Sequence, residues 1–268
     1  MKKVYRQALK RILGKSYVWL ILFFFYVPIL MVVIYSFNNT NSPNSAIWHG
    51  FSLRWYETLF NNPQVGLAVR NSVLIALITV AISIVLGTPA AISMWERNLR
   101  INHILENLSY LAILLPEIIY GIAFLTWFSV LKLPFGLYSV AIAHSTFCIP
   151  YTIIMVQARL TSLDKSTVEA ARTLGAGKVR AFFDVIVPDL VPAILSSSLL
   201  SFVLSLDNVI ITTFSSGADG TTLPLKIYSM LRLNPSPVIN SLCALMTFVT
   251  LLSVVLRYLI DSSRRTKE

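Results

Sequence analysis

Apolar runs of about twenty residues recur along this chain, parted by shorter polar stretches. They lie near 17–37, 71–94, 104–128, 137–157, 192–214 and 241–260. A helix needs about 20 such residues to cross a hydrocarbon core about 30 Å thick. Strands of a membrane barrel would be shorter and would alternate apolar with polar. The pattern therefore predicts an all-α polytopic membrane protein with six transmembrane helices. Residues 38–69 are polar and carry Trp48 and Trp55, which predicts an external loop with interface anchors and a short interfacial helix around Leu53 to Phe60. Glu96 to Arg100 reads as a polar turn, and Lys132 to Pro134 as a short loop. From Ser215 to Asn240 the chain is rich in Gly, Ser and Thr. There Pro224, Pro235 and Pro237 predict extended or turn backbone, with Ser236 accessible from outside.

The polar stretch from Arg159 to Val191, between the fourth and fifth runs, has its own pattern. Ser166-Thr167-Val168-Glu169 has capping-box spacing, so Glu169 is expected to reach back to an orphan backbone N–H. Gly175 is placed to end that first helix in a left-handed turn. Val179, Phe182, Phe183 and Ile186 then form the apolar stripe of a second helix, closed off near Pro188. One reading is a helical hairpin that fills space between two spans.

Composition agrees with a membrane chain: 56% of residues are hydrophobic and only 13% charged, about half the usual share. The net charge of +10 invites a nucleic-acid reading, but most of it is explained by topology. With a cytoplasmic N-terminus, six Lys and Arg fall in residues 1–16, two at Arg97 and Arg100, five between Arg159 and Arg180, and four at Arg257, Arg264, Arg265 and Lys267. Arg54, Arg70, Lys132, Lys226 and Arg232 remain outside. That asymmetry places both termini and the 159–191 loop in the cytoplasm. The division is a cytoplasmic segment 1–16, a bundle 17–260 including the loop 159–191, and a cytoplasmic tail 261–268. The basic start followed by an apolar run is too long for a signal peptide and has no small-residue cleavage site, so it reads as an uncleaved first span. Gly14-Lys15-Ser16 lacks the earlier glycine and the preceding strand of a phosphate loop. Cys148 and Cys243 lack zinc spacing, so no metal and no cofactor is expected. No hydrolase or metallopeptidase motif is present, which argues against an enzyme.

Two acids fall inside spans, Glu117 and Asp207. A charge at membrane depth is costly, so its default reading is a function or a partner. Glu117 lies roughly 18 Å into the third run and Asp207 roughly 22 Å into the fifth. Tyr120 and Phe124 follow Glu117 on one helical face. Pro116 lacks an N–H, so it frees the carbonyl of Ala112 and bends the helix beside the acid. Carboxylates with rings suit a cation. Pairing of each acid with a neighbouring span would hold the bundle instead. His144 reads as a helix-packing residue rather than a ligand.

Glu169, Ala170, Ala171, Gly175 and Pro188, with Leu174 inside the stretch, resemble the EAA motif of permease subunits of ATP-binding-cassette importers. Val185 and Val187 stand where that motif usually has Ile and Leu. The segments Pro116–Ile119, His144–Pro150, Leu204–Val209 and Leu223–Met230 are similar to those of spermidine/putrescine permeases, nearest their second permease subunit. The resemblance implies a bacterial inner-membrane subunit that pairs with a second permease subunit. It further implies two ATPase subunits docked on a coupling helix at Glu169 to Gly175, and an external polyamine-binding protein facing the 215–240 loop. The unpaired intramembrane acids Glu117 and Asp207 are expected on or near the cation path, with Tyr120 and Phe124 as ring contacts and Asn208 as a neutral hydrogen-bonding partner. The family typically has a second acid at the last position, where this chain has Asn208. A permease for another solute, such as sulfate, iron or thiamine, and a proton-coupled carrier remain the alternatives.

Overall fold

The computed structural model describes residues 2–41, 47–96, 100–233 and 237–265. Arg97, Pro235, Ser236 and Lys267 lie outside the described residues. Every regular element among the described residues is helical, apart from an isolated antiparallel bridge between Asn38 and Phe51. Contacts divide the chain into two units, Met1–Pro63 with Ser229–Glu268, and Gln64–Tyr228.

In the first unit, α1 (Lys2–Tyr35) and α2 (Arg54–Phe60) both pack against α12 (Val238–Arg265). The short helix expected at 53–60 is α2. Before it, Asn38 is fully buried. Its Oδ1 accepts the His49 N–H, its Nδ2 donates to the Ile47 carbonyl, and its own carbonyl accepts Trp55 Nε1 at 3.0 Å. Trp55 is thus buried and spent inside the loop, while Trp48 stays exposed as an anchor would. Along α1, Tyr17, Trp19 and Phe23 to Phe25 stand exposed, as a span facing lipid requires.

The second unit is built on α6 (Leu137–Ser162), the most buried of its long helices. On it pack α3 (Pro63–Glu96), α4 (Arg100–Leu114), α5 (Glu117–Val130), α9 (Val187–Asp207) and α10 (Ile210–Ser215). Pro63 opens α3 eight residues before the run expected at Asn71, because proline suits a first helical turn where the N–H has no partner. One cluster joins Ala91, Ile153, Val156, Leu160, Ile186 and Leu190, and another joins Phe124, Phe128, Phe147, Cys148 and Ile211. Gly121 lets α5 close on α10: a Cβ there would stand 2.4 Å from the Phe214 ring.

The third and fifth runs are not continuous helices. α4 and α5 meet at 104° about Leu115-Pro116, far beyond the bend expected from one proline. Pro116 takes extended backbone (φ −58°, ψ 137°), so the helix stops and restarts at Glu117. The fifth run breaks at Asn208-Val209, where Asn208 is extended. Pro188 ends nothing: helix runs from Lys178 to Asp207 through α8 (Lys178–Ala181), a π turn at Phe182–Ile186, and α9. In the π turn the Val187 N–H bonds the Phe182 carbonyl, and this wider turn makes room for the proline ring that follows. Pro224 likewise does not extend its loop; it sits in the first turn of α11 (Leu223–Leu233).

Among the described residues, four helical stretches are long and apolar enough to cross a membrane: Gly14–Tyr35, Pro63–Trp95, Leu137–Ser162 and Lys178–Asp207. The bent pair α4–α5 makes a fifth if counted as one span, and Val238–Leu252 is a shorter apolar helix.

Candidate cation path and coupling loop

The two helix breaks meet. Asn208 is buried, and its Nδ2 donates to Glu117 Oε2 at 3.2 Å. Its Oδ1 accepts the Ile211 N–H at 2.9 Å, which caps the first turn of α10. Its backbone carbonyl accepts Thr212 Oγ1 at 2.8 Å. Asp207, at the end of α9 and next to Asn208, is exposed. Among the described residues neither carboxylate has a cationic partner; the ion pairs there are Arg159–Asp189 and Arg180–Asp184. So Glu117, Asp207 and Asn208, expected on one path, come together where two spans are interrupted. Non-helical backbone at membrane depth is tolerated where it is buried in protein or lines a cavity.

Tyr120 completes the first break. Its hydroxyl donates to the Ala112 carbonyl at 3.0 Å, the carbonyl that Pro116 leaves without an N–H. Its ring meets Phe147 edge-on at 5.4 Å. Phe124 packs with Phe128 at 5.4 Å and is only 8% exposed. Both rings lie on α5 after Glu117, and both are spent on packing.

His144 belongs to a network that periodicity does not single out. Its Nδ1 pairs with Ser205 Oγ at 2.9 Å and its Nε2 with Thr212 Oγ1 at 3.0 Å. Thr212 gives its hydroxyl hydrogen to Asn208, so Nε2–H must donate and Nδ1 must accept from Ser205. Ser205 also lies 3.4 Å from Thr79 Oγ1. His144 therefore spans the break between α9 and α10 and ties both to α6. The only signal in the sequence was the repeat of small hydroxyl residues at helical spacing, Ser197, Ser201 and Ser205.

The 159–191 loop is a helix, a turn and a second helix. α7 (Lys165–Thr173) is capped by Asp164, whose carboxylate accepts the Ser166 N–H at 2.9 Å. The capping box expected from Ser166 is therefore absent: Ser166 is already inside the helix, and Glu169 points to solvent. Gly175 has φ +90°, with its N–H on the Arg172 carbonyl and the Ala176 N–H on the Ala171 carbonyl. That paired arrangement is the left-handed stop expected there. The second apolar stripe divides: Ile186 is buried and Phe182 half-buried, whereas Val179 and Phe183 are exposed. With Leu174, 89% exposed, they give the loop an uncovered apolar face. Glu169, Ala170, Gly175 and Pro188 are exposed and Ala171 is half-exposed.

Residues 83–265 match the family described as the inner-membrane component of binding-protein-dependent transport systems. This chain belongs to that family. The permease is 34% identical over 248 residues to the spermidine/putrescine transport system permease protein PotC of Haemophilus influenzae, covering 92% of this chain and 96% of that one. It is 36% identical over 229 residues to the putrescine transport system permease protein PotI of Escherichia coli, covering 83% and 81%. Its fold is shared with a bacterial transporter that imports alginate, at TM-score 0.74 and 15% identity over 95% of this chain and 96% of that one. It is shared with the MetNI methionine transporter at TM-score 0.58 and 17% identity, over 76% and 95%. As a permease component, the chain is a multi-pass membrane protein and not itself an enzyme. Membership implies a partner permease, an ATPase and a binding protein.

Proposed function

We propose that this chain is one of two permease subunits of an ATP-driven polyamine importer, with six spans and both termini in the cytoplasm. The relatives named as spermidine/putrescine and putrescine permeases support the substrate class. The observation that carries the reading is the junction of two interrupted spans. Glu117 and Asp207, the neighbour of Asn208, bring two carboxylates to that junction with no cationic partner among the described residues, and an arriving ammonium would supply the missing charge. The α4–α5 pair counts as the third span, the α9–α10 pair as the fifth, and α12 as the sixth. The domain is a cytoplasmic segment 1–16, a bundle 17–260 with the coupling loop 159–191, and a tail 261–268.

The exposed face around Glu169, Ala170, Ala171, Leu174 and Gly175 is the contact for the ATPase subunits. From that loop, helix continues from Lys178 past Pro188 to Asp207, roughly 45 Å of rod. Movement at the coupling loop thus reaches the acid at its far end without crossing a flexible joint. Tyr120 offers its ring to the cation while its hydroxyl stays on Ala112. Phe124 reaches the path when its aromatic cluster opens. An external binding protein delivers the amine to the 215–240 loop.

The test is uptake by the full complex in vesicles. Glu117→Gln and Asp207→Asn should each lower polyamine uptake about tenfold or more, while ATP hydrolysis by the assembled complex persists. Normal rates with unchanged concentration dependence in both variants would make the acids structural and remove the site from the path.

A further inference from the structure

We propose that Asn208 is a positioning residue that sets how many amine charges the path accepts. The proposal rests on the assignment of Glu117 to the cation path. Asn208 is 4% exposed, and both ends of its amide are committed. The oxygen accepts the Ile211 N–H that starts α10, so the NH2 end is the one that must face Glu117. Only a side chain with an acceptor and a donor at that reach can do both.

Alternative residues separate these two tasks. Aspartate would cap α10 as well as asparagine does, but would set a carboxylate against the Glu117 carboxylate. Serine would also cap, but it is too short to reach Glu117. With asparagine in place, Oε2 of Glu117 is held by a neutral donor. Its other oxygen and the Asp207 carboxylate are left for substrate. The junction then presents two negative charges, one from each interrupted span, and its charge matches a linear diamine. Asn208 thus excludes a third charge from the junction while fixing the direction in which Glu117 points.

The measurement is uptake of a diamine (putrescine) and a triamine (spermidine) by the complete complex in vesicles, with kcat and KM separated and ATP hydrolysis recorded. Asn208→Asp should raise the triamine-to-diamine ratio of kcat/KM roughly tenfold, through KM rather than kcat. Asn208→Ser keeps the cap and loses the donor; it should raise KM for both amines several-fold, with kcat little changed. A Glu117→Gln background should remove both effects. An unchanged ratio in Asn208→Asp overturns the proposal, as does wild-type KM in Asn208→Ser, which decides the matter should the aspartate variant fail to assemble. Glu117→Gln alone separates the two levels. Normal uptake there removes the cation-path assignment and this proposal together. Reduced uptake there, with an unmoved ratio in Asn208→Asp, overturns this proposal alone.

Discussion

His144 shows what a single residue does in this bundle. It is 1% exposed, and its two ring nitrogens reach hydroxyls on both sides of the α9–α10 break. Thr212 passes the contact on to the Asn208 carbonyl, so the ring supports the backbone that presents Asn208 to Glu117. His144→Phe keeps the volume and removes both bonds, leaving Ser205 only the longer contact to Thr79 at 3.4 Å. The expected loss is about 2 kcal/mol, read as a lower unfolding midpoint of the purified subunit in detergent, together with weakened uptake. His144→Gln, which can offer one donor and one acceptor, should recover part of both. An unchanged midpoint in the phenylalanine variant would mean that the network is incidental to stability.

At the scale of elements, α7 in the 159–191 loop depends on its two ends. Hydrogen bonds from Ser166, first through its side chain and then its backbone N–H, hold the Asp164 carboxyl below its ordinary range. A carboxyl lowered in the folded state supports the fold above its unfolded pKa, so this cap is complete at neutral pH and is lost only as pH falls through the lowered value. Gly175 ends α7 at φ +90°, and a Cβ built there meets nothing within 4 Å. Its requirement is therefore conformational: a side chain would clash with its own backbone and with no neighbour. Gly175→Val should cost about 1 kcal/mol or more locally, displace Leu174 and weaken ATPase association or uncouple hydrolysis from uptake. Membrane insertion should be unaffected. Copurification of the ATPase subunits with the variant, together with an uptake-to-hydrolysis ratio, checks this; wild-type values for both would count against the loop as the coupling contact.

For the whole molecule, the inward excess of Lys and Arg makes a prediction that is independent of any single contact. Ala218, exposed in the turn before α11, belongs to the loop expected outside. In a background with Cys148 and Cys243 replaced by serine, a cysteine introduced for Ala218 should react with an impermeant thiol reagent added to intact cells. One introduced for Lys178, in the coupling loop, should react only after the membrane is opened. The reverse pattern would invert the topology and place the EAA-like loop away from any cytoplasmic ATPase.

Much of this was legible in one dimension because it depends on local or additive properties. Length and continuity of apolar runs decide which segments enter hydrocarbon, and charge asymmetry sets the orientation to be tested. Gly175 could be read because a left-handed residue after a helix is a local backbone demand. The carbonyl of Ala112 could be named because proline's missing donor always lies four residues from its acceptor; that Tyr120 would serve it could not. Nor could the 104° turn at Pro116, since a lone proline permits anything from a mild kink to a full break and the packing around it selects. The meeting of Glu117 with Asn208, 91 residues apart, and of His144 with Ser205 and Thr212, exists only because α5, α6, α9 and α10 converge. Hydrophobic pattern is blind to that convergence, because buried polar partners are chosen by three-dimensional proximity and by the need to satisfy each donor and acceptor away from water. The sequence alone determined that this chain spans a membrane and which residues are anomalous there, because both follow from local chemistry; tertiary structure decided which of those anomalies share one site.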